Sequence, residues 1–200
     1  IDELKDVVNF YKIGLELMAS GDYFTTIDYL KKHNKKIFAD LKLYDISQTI
    51  GKAVANLSKY QIDLLTIHSS SRDIMKRASE NKGDMKIVAV SVLTNLNDFD
   101  LHEMGFDNNL SMAQLVEKKT QLALESGIDG VVASAQEAQS LRSKFGNDFI
   151  IVTPGIRLKN DHQKIINDDQ KRTADVEYAI RSGSSYLVVG RPITSAENIQ

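Results

Sequence analysis

Four charged residues in the first quarter of the chain could form a site for proton transfer. Asp40, Lys42 and Asp45 lie in the segment FADLKLYDI, and Lys12 lies in the earlier segment YKIG. Side chains alternate between the faces of a strand, so Asp40 and Lys42 are expected to point the same way. Alternating ammonium and carboxylate groups keep a lysine charged and direct it at developing negative charge. This pattern predicts protonation or stabilisation of a carbanion.

A structural ion pair at a strand end is the alternative interpretation of Asp40 and Lys42, because two inward charges are costly unless they are paired. Asp45 could then be no more than a helix-start residue. Lys12 favours the catalytic interpretation, since it adds a second cation in the strand expected beside the Asp40 strand, and Gly14 leaves space on the same face. Hydrolysis fits less well, because no water-activating base or metal-binding cluster stands out.

Two segments near the end of the chain indicate phosphate binding. They are TPGIR, which contains Arg157, and VGRPI, which contains Gly190 and Arg191. In parallel barrels the loops after the last two strands commonly bind phosphate through backbone N–H groups. Arginine adds bidentate, charge-assisted hydrogen bonds to phosphate oxygens. One such segment alone would indicate a surface turn, but two at corresponding positions predict a phosphate site.

Short apolar segments alternate with amphipathic ones along the chain, which predicts βα units and a parallel sheet. A helix is expected over residues 2–10, and the acidic segment 98–108 is expected to be a solvated loop. The predicted strands cover residues 11–17, 36–41, 64–69, 86–93, 130–134, 149–155 and 186–190. The main predicted helices cover residues 24–33, 50–60, 112–126, 135–145 and 175–182.

Seven strands leave two folds open within a single domain of residues 1–200. One is an eight-stranded parallel barrel whose first strand is absent from the sequence. The other is an open doubly wound sheet, which accommodates seven strands. No Gly-x-Gly-x-x-Gly follows any predicted strand, so a dinucleotide-binding version of the open sheet loses most of its support.

Composition excludes several classes of partner and chemistry. The 25 Lys and Arg against 27 Asp and Glu give a net charge of −2, which disfavours nucleic acid as a partner. No apolar run approaches the ~18 residues of a membrane span. The 200 residues contain no cysteine, so disulfides and thiolate chemistry are excluded. The histidines show no metal-ligand spacing. These features predict a cytoplasmic protein.

Taken together, the motifs resemble those of the bacterial orotidine 5′-monophosphate decarboxylases. The resemblance spans residues 2–193 and rests on YKIGLEL, FADLKLYDI, LLTIHSS, VAVSVLTNL, TPGIR, DQKR and YLVVGRPIT in this order. It implies a (β/α)8 TIM barrel that forms a homodimer and converts orotidine 5′-monophosphate (OMP) to UMP and CO2. It further implies that no metal or organic cofactor is used. By comparison with this family, the sequence lacks the first strand and the last C-terminal segment.

The resemblance also implies roles for individual residues. Lys42 would donate the proton to the pyrimidine carbon that loses its carboxylate, Asp40 would lie against that carboxylate, and Lys12 would hold the array and the ribose hydroxyls. Three residues would reach into the site of the other subunit: Asp45, Ile46 and Thr49. The remaining substrate contacts would be Thr94 at the pyrimidine and, at the phosphate, Arg157, Gln170, Gly190 and Arg191.

Two alternatives to this function remain at the level of sequence. One is a Mg²⁺-dependent enzyme of the 3-keto-L-gulonate 6-phosphate decarboxylase or hexulose-phosphate synthase type, which shares the barrel and the Asp-x-Lys-x-x-Asp pattern. Thr94 and the GRPIT segment favour the nucleotide enzyme instead. The other is a phosphate-ligand-binding barrel without turnover, against which the four retained charged residues argue.

Overall fold

The computed structural model describes residues 1–4, 7–157 and 172–196. Its centre is a parallel sheet of seven strands in the order β1-β2-β3-β4-β5-β6-β9, and β7 and β8 form a separate parallel pair. The strands are β1 (Phe10–Gly14), β2 (Lys36–Leu43), β3 (Leu64–His68), β4 (Lys86–Val90), β5 (Gly130–Val132), β6 (Ile150–Thr153), β7 (Ile156–Arg157), β8 (Ala174–Asp175) and β9 (Tyr186–Leu187). The prediction of a parallel α/β fold is confirmed.

The sheet curls until its first and last strands approach each other. Phe10 begins β1 and Tyr186 begins β9, and these are the first and last strands in the order of the sheet. Their rings nevertheless meet edge to face, with centroids 5.4 Å apart. Each successive strand of the sheet is added on the same side, whereas a doubly wound sheet reverses its direction of winding. The open-sheet alternative is therefore wrong.

Helices cover the outer face of the sheet, and apolar side chains fill both faces. The inner layer consists of Phe38, Leu64, Val88, Val90, Val132 and Val152. The larger core packs the outer face of the sheet against the helices, as Ile37 and Ala39 of β2 do. The helices are α1 (Leu15–Ser20), α2 (Tyr23–Lys32), α3 (Ser47–Leu57), α4 (Arg72–Glu80), α5 (Asp98–Glu103), α6 (Met112–Glu125), α7 (Ala135–Phe145), α8 (Val176–Arg181) and α9 (Arg191–Thr194). Within the described ranges, no helix has the length and apolar composition needed to cross a membrane.

The predicted helix before β1 and the predicted length of β1 were both wrong. The expected helix over residues 2–10 is, in its described part, only a 3-10 turn over Asp2–Leu4, and Phe10 already pairs with β2. The expected strand over residues 11–17 ends at Gly14, where α1 begins. The last pair of the β1–β2 ladder joins Gly14 to Asp40, and β2 then becomes irregular. The chain leaves the sheet at Gly14, which is the N-cap of α1.

The expected loop over residues 98–108 contains helix α5, so that prediction was also wrong. A capping box explains the helix: the Asn97 side chain accepts a hydrogen bond from the Asp100 amide, and the Asp100 carboxylate accepts one from the Asn97 amide. Asp98 adds an acceptor for the amide of Met112, at 2.7 Å. These side chains accept hydrogen bonds from backbone amides at the starts of α5 and α6, which have no partner within the helix.

Candidate active site

A mostly buried carboxylate, that of Asp40, lies between two ammonium groups at the carboxyl ends of β1 and β2. Asp40 Oδ1 is 2.8 Å from Lys42 Nζ, and Asp40 Oδ2 is 3.0 Å from Lys12 Nζ. The Asp40 side chain is 12% exposed, whereas those of Lys12 and Lys42 are 38% and 32% exposed. The three residues line a cavity of about 510 Å³. The two ammonium groups are therefore more accessible from solvent than the carboxylate that pairs with both.

The alternation of the strands brings these groups together. Lys12 comes two residues after Phe10, and Asp40 comes two residues after Phe38, whose ring belongs to the inner apolar layer. Residues two apart share a face of a strand, so both charged groups stand directly above that layer. Gly14 pairs with Asp40, and a Cβ at Gly14 would lie 3.2 Å from the Asp40 carbonyl oxygen. Glycine at this position permits the close approach of the two backbones.

Lys42 has an unusual backbone for a strand residue, with a φ of +47°. The pairing of β2 with β3 shifts register between Ala39 and Leu43, so Lys42 lies within the irregular stretch. Its backbone amide donates to the Thr66 hydroxyl at 2.8 Å. The left-handed conformation is costly for a residue with a Cβ, and such strain is concentrated at functional sites.

The two lysines keep Asp40 ionised. Burial alone raises the pKa of this carboxyl group, but the charges and hydrogen bonds of Lys12 and Lys42 outweigh burial and lower the pKa below its ordinary value. Asp40 is therefore a carboxylate at neutral pH.

His68, at the end of β3, is a neutral neighbour of this array. Its pKa is lowered first by burial and then by the positive charges of Lys119 and Lys42. The ring of Tyr44 contacts its imidazole edge to face, with centroids 5.6 Å apart. A histidine with a depressed pKa stabilises the fold above its unfolded pKa, and that contribution is lost as the pH falls through the folded pKa.

We expect the pKa of His68, measured by NMR titration of its ring proton, to lie below 6.5. Lys42→Ala should raise that pKa, because it removes a cation that disfavours the imidazolium form. The control is Lys36→Ala, at the opposite end of β2, which should leave the pKa unchanged. The resonance is assigned by its loss in His68→Asn. An unchanged His68 pKa in Lys42→Ala would contradict the predicted coupling.

Asp45 does not contact the array of its own chain. Of the four charged residues expected to form one group, only Lys12, Asp40 and Lys42 come together within a chain. In the described residues the Asp45 carboxylate accepts a hydrogen bond from the Ile46 amide at 2.7 Å and forms no ion pair with Lys12 or Lys42. The reason is that β2 ends at Leu43 and the chain turns outward before α3. Asp45, Ile46 and Thr49 are all exposed there.

The predicted phosphate residues that the structure describes follow neighbouring strands. Arg157 comes after β6, and Arg191 comes after β9. Thr153 pairs with Leu187, so both strands end at the same edge of the sheet. Gly190 is the N-cap of α9, which begins at Arg191. Gln170 lies outside the described residues.

Thr94 is buried just after β4. Its neighbour Arg172 was not predicted from the sequence. Arg172 donates to the carbonyl oxygens of Leu93 and Thr94, at 3.2 and 3.3 Å, and forms an ion pair with Glu137. It thereby ties the chain before β8 to the end of β4 and to the start of α7. Its only signal in the sequence is its place in the DQKR segment.

Thr66 is the other missed residue. Its signal was a hydroxyl in an otherwise apolar strand, two residues before His68 and therefore on the inner face. Nothing in the sequence showed that this hydroxyl meets Lys42 and Asp40, because that contact depends on the irregular register of β2.

A larger cavity, of about 540 Å³, opens at the amino ends of the strands and is lined by Asp63 and Lys86, among others. Two of its charged lining residues are paired within the chain: Asp63 with Lys31 and Lys86 with Asp129, both at 3.1 Å. That end of a parallel barrel serves stability, whereas chemistry occurs at the carboxyl ends.

In the part of the chain that the structure covers, no three acidic or histidine side chains are grouped to hold a metal ion.

Comparisons with known proteins identify the family of the chain. Residues 1–200 match the model of the orotidine 5′-phosphate decarboxylase / HUMPS family. The chain is 43% identical over 196 residues to the orotidine 5′-phosphate decarboxylase of Methylococcus capsulatus, covering 98% of this chain and 78% of that protein. It is 42% identical over 199 residues to that of Xanthomonas euvesicatoria, covering 99% and 79%.

A solved structure, that of the Lactobacillus acidophilus orotidine 5′-phosphate decarboxylase, superposes with a TM-score of 0.80 at 33% identity. It covers 98% of this chain and 84% of that one. The prediction of a barrel of this family is confirmed by the family match and by this superposition. The chain therefore belongs to the orotidine 5′-phosphate decarboxylase / HUMPS family.

Proposed function

We propose that the chain decarboxylates OMP to UMP and CO2 in the formation of UMP, with Lys42 as the proton donor. One observation carries the assignment of Lys42. Lys42 lines the cavity at the carboxyl ends of the strands, and its partly exposed ammonium group lies 2.8 Å from the mostly buried Asp40 carboxylate. In this reaction the bond between the pyrimidine ring and its carboxylate breaks, and the electron pair stays on the ring carbon. Lys42 gives that carbon a proton and is reprotonated by water.

The array stabilises the transition state more than the bound substrate. Asp40 would lie against the substrate carboxylate, and the repulsion between them is relieved as neutral CO2 departs. Negative charge then develops on the ring carbon, which faces the ammonium of Lys42. Fixed charges aimed at developing charge in a site shielded from water are among the largest contributions to catalysis. Lys12 balances the charge of Asp40 and contacts the ribose hydroxyls.

The opposite end of the nucleotide would be held by the loops after β6 and β9. Arg157, Arg191 and Gln170 are assigned to the phosphate, together with the backbone of Gly190. Thr94 is assigned to the pyrimidine. The neighbouring strand ends that carry Arg157 and Arg191 support this assignment. Binding energy from a remote phosphate can be used to position the reacting base.

The active form is proposed to be a cytoplasmic homodimer in which Asp45, Ile46 and Thr49 complete the site of the other subunit. Their exposure just before and at the start of α3 supports this arrangement. The side chains of Tyr44 and Ile46 are large, apolar, and 73% and 69% exposed. Adjacent exposed apolar side chains of this size are typical of an interface.

The experiment that tests the function is incubation of the protein with OMP in the presence of EDTA. Loss of the ultraviolet absorbance of OMP and formation of UMP are followed, with Lys42→Ala as the matched inactive control. We expect rapid conversion that EDTA does not change. No conversion of OMP, together with turnover of 3-keto-L-gulonate 6-phosphate on addition of Mg²⁺, would contradict the proposal and support the sugar-phosphate enzyme.

A further inference from the structure

We propose that Thr66 is a positioning residue for Lys42. Its hydroxyl group holds the backbone of Lys42 in the left-handed conformation and keeps the Lys42 ammonium against Asp40. The proposal rests on the proposed role of Lys42 as proton donor. It assigns to a residue of a third strand, β3, a part in a charged array whose other members, Lys12, Asp40 and Lys42, belong to β1 and β2.

The hydrogen bonds around Thr66 form a closed ring that joins both ends of Lys42. The Lys42 amide donates to Thr66 Oγ1 at 2.8 Å, and Thr66 Oγ1 donates to Asp40 Oδ1 at 3.0 Å. The same Asp40 oxygen accepts from Lys42 Nζ at 2.8 Å. The directions are unambiguous, because an amide can only donate and a carboxylate can only accept. The ring therefore fixes the backbone and the ammonium of one lysine relative to each other.

The irregular register of β2 explains why Lys42 needs this partner. Ala39 pairs with Leu65, but Leu43 pairs with Ile67, so β2 advances four residues while β3 advances two. The extra residues bulge out of the ladder, as in a β-bulge that re-aims a side chain. The amide of Lys42 then meets a side-chain hydroxyl in place of a strand carbonyl. A buried amide without a partner would be costly, so this hydroxyl stabilises the bulge.

Thr66 is buried, so its hydroxyl group is not exposed to solvent. Its side chain is 0% exposed, on the inner face of β3, and both hydrogen-bonding functions of its hydroxyl are used. Thr120, in α6, offers a matched contrast within the described chain. It is also 0% exposed, but its hydroxyl has no hydrogen-bond partner. The same substitution at the two positions therefore distinguishes the hydroxyl ring from simple loss of a buried hydroxyl.

The test compares Thr66→Val, Thr66→Ser and Thr120→Val. We expect Thr66→Val to lower kcat for OMP roughly 10- to 100-fold, since a misplacement of about 1 Å has effects of that size. The KM should stay within about threefold, because ground-state contacts to the nucleotide are intact. Thr66→Ser should restore most of kcat, and Thr120→Val should match the unsubstituted protein. The acid limb of the kcat/KM profile should move to higher pH in Thr66→Val, because Asp40 loses a hydrogen-bond donor.

Two results would overturn the proposal: a kcat of Thr66→Val within about twofold of the unsubstituted protein, or a kcat of Thr66→Ser as low as that of Thr66→Val. If Thr66→Val does not fold, Thr66→Ser is compared with Thr66→Ala, because they differ only in the hydroxyl. Equal kcat values in that pair would also overturn it.

A readout that needs no turnover separates this proposal from the proposed function. Hydrogen exchange of the Lys42 amide should be fast in Thr66→Val and slow in Thr66→Ser, whatever the substrate is. A Lys42 amide that stays protected in Thr66→Val would refute the positioning role. Failure of the unsubstituted protein to convert OMP would refute only the proposed function.

Discussion

Replacing Lys42 with alanine is expected to lower kcat for OMP by roughly 10⁴-fold or more, because the proton donor and a fixed cation are lost together. UMP should still bind, since the phosphate end of the site is unchanged. The Asp40 carboxylate keeps Lys12 as its partner at 3.0 Å, so the protein should still fold. Single-turnover rates with enzyme in excess measure the first effect, and calorimetric titration with UMP measures the second.

Two further variants make this prediction specific. Lys42→Arg keeps a cation at the site but replaces the donor with a guanidinium that does not deprotonate in proteins, so it should remain nearly as inactive as Lys42→Ala. Lys36→Ala removes an exposed lysine at the other end of β2 and should retain full activity. A kcat for Lys42→Ala within tenfold of the unsubstituted protein would show that the proton comes from another group.

Mixing two inactive variants, Lys42→Ala and Asp45→Asn, is expected to restore roughly a quarter of normal activity, because each site of a symmetric dimer would use residues of both chains. Random exchange makes half of the dimers mixed. In each mixed dimer one site has an intact Lys42 from one chain and an intact Asp45 from the other. The second site carries both substitutions and stays inactive.

The two variants are mixed at equal concentrations, their subunits are allowed to exchange, and the decarboxylase activity of the mixture is measured. The control is a mixture of the Lys42→Ala and Asp40→Asn variants, which both change the same half of the site and should restore nothing. Absence of recovery after demonstrated exchange would contradict the contribution of Asp45 across the interface. Equal recovery in the control would indicate that restoration has another cause.

The sequence by itself determined which residues could do chemistry and how the chain alternates between strands and helices. Strand alternation is a local property, so the period of two already placed Asp40 on the inner face above Phe38. The helix over Ala135–Phe145 was predicted at its observed bounds, because both ends have local signals: the Glu137 carboxylate accepts a hydrogen bond from the Ser134 amide at 2.8 Å, and Gly146, with a φ of +83°, follows the last turn. The phosphate-binding segments TPGIR and VGRPI were likewise recognisable from neighbouring residues, because each combines a glycine with an arginine after a strand.

The tertiary structure alone decided how these residues meet. Whether seven strands curl or stay open depends on the order of pairing between distant segments, which no local period specifies. The left-handed backbone of Lys42 and its bond to Thr66, 24 residues later in the chain, arise from a change of register between two strands. Asp45 lies outside the array because β2 ends at Leu43, before this residue is reached. Such contacts are non-local, so residue types alone predicted the charges of the site but not the bonds that hold them.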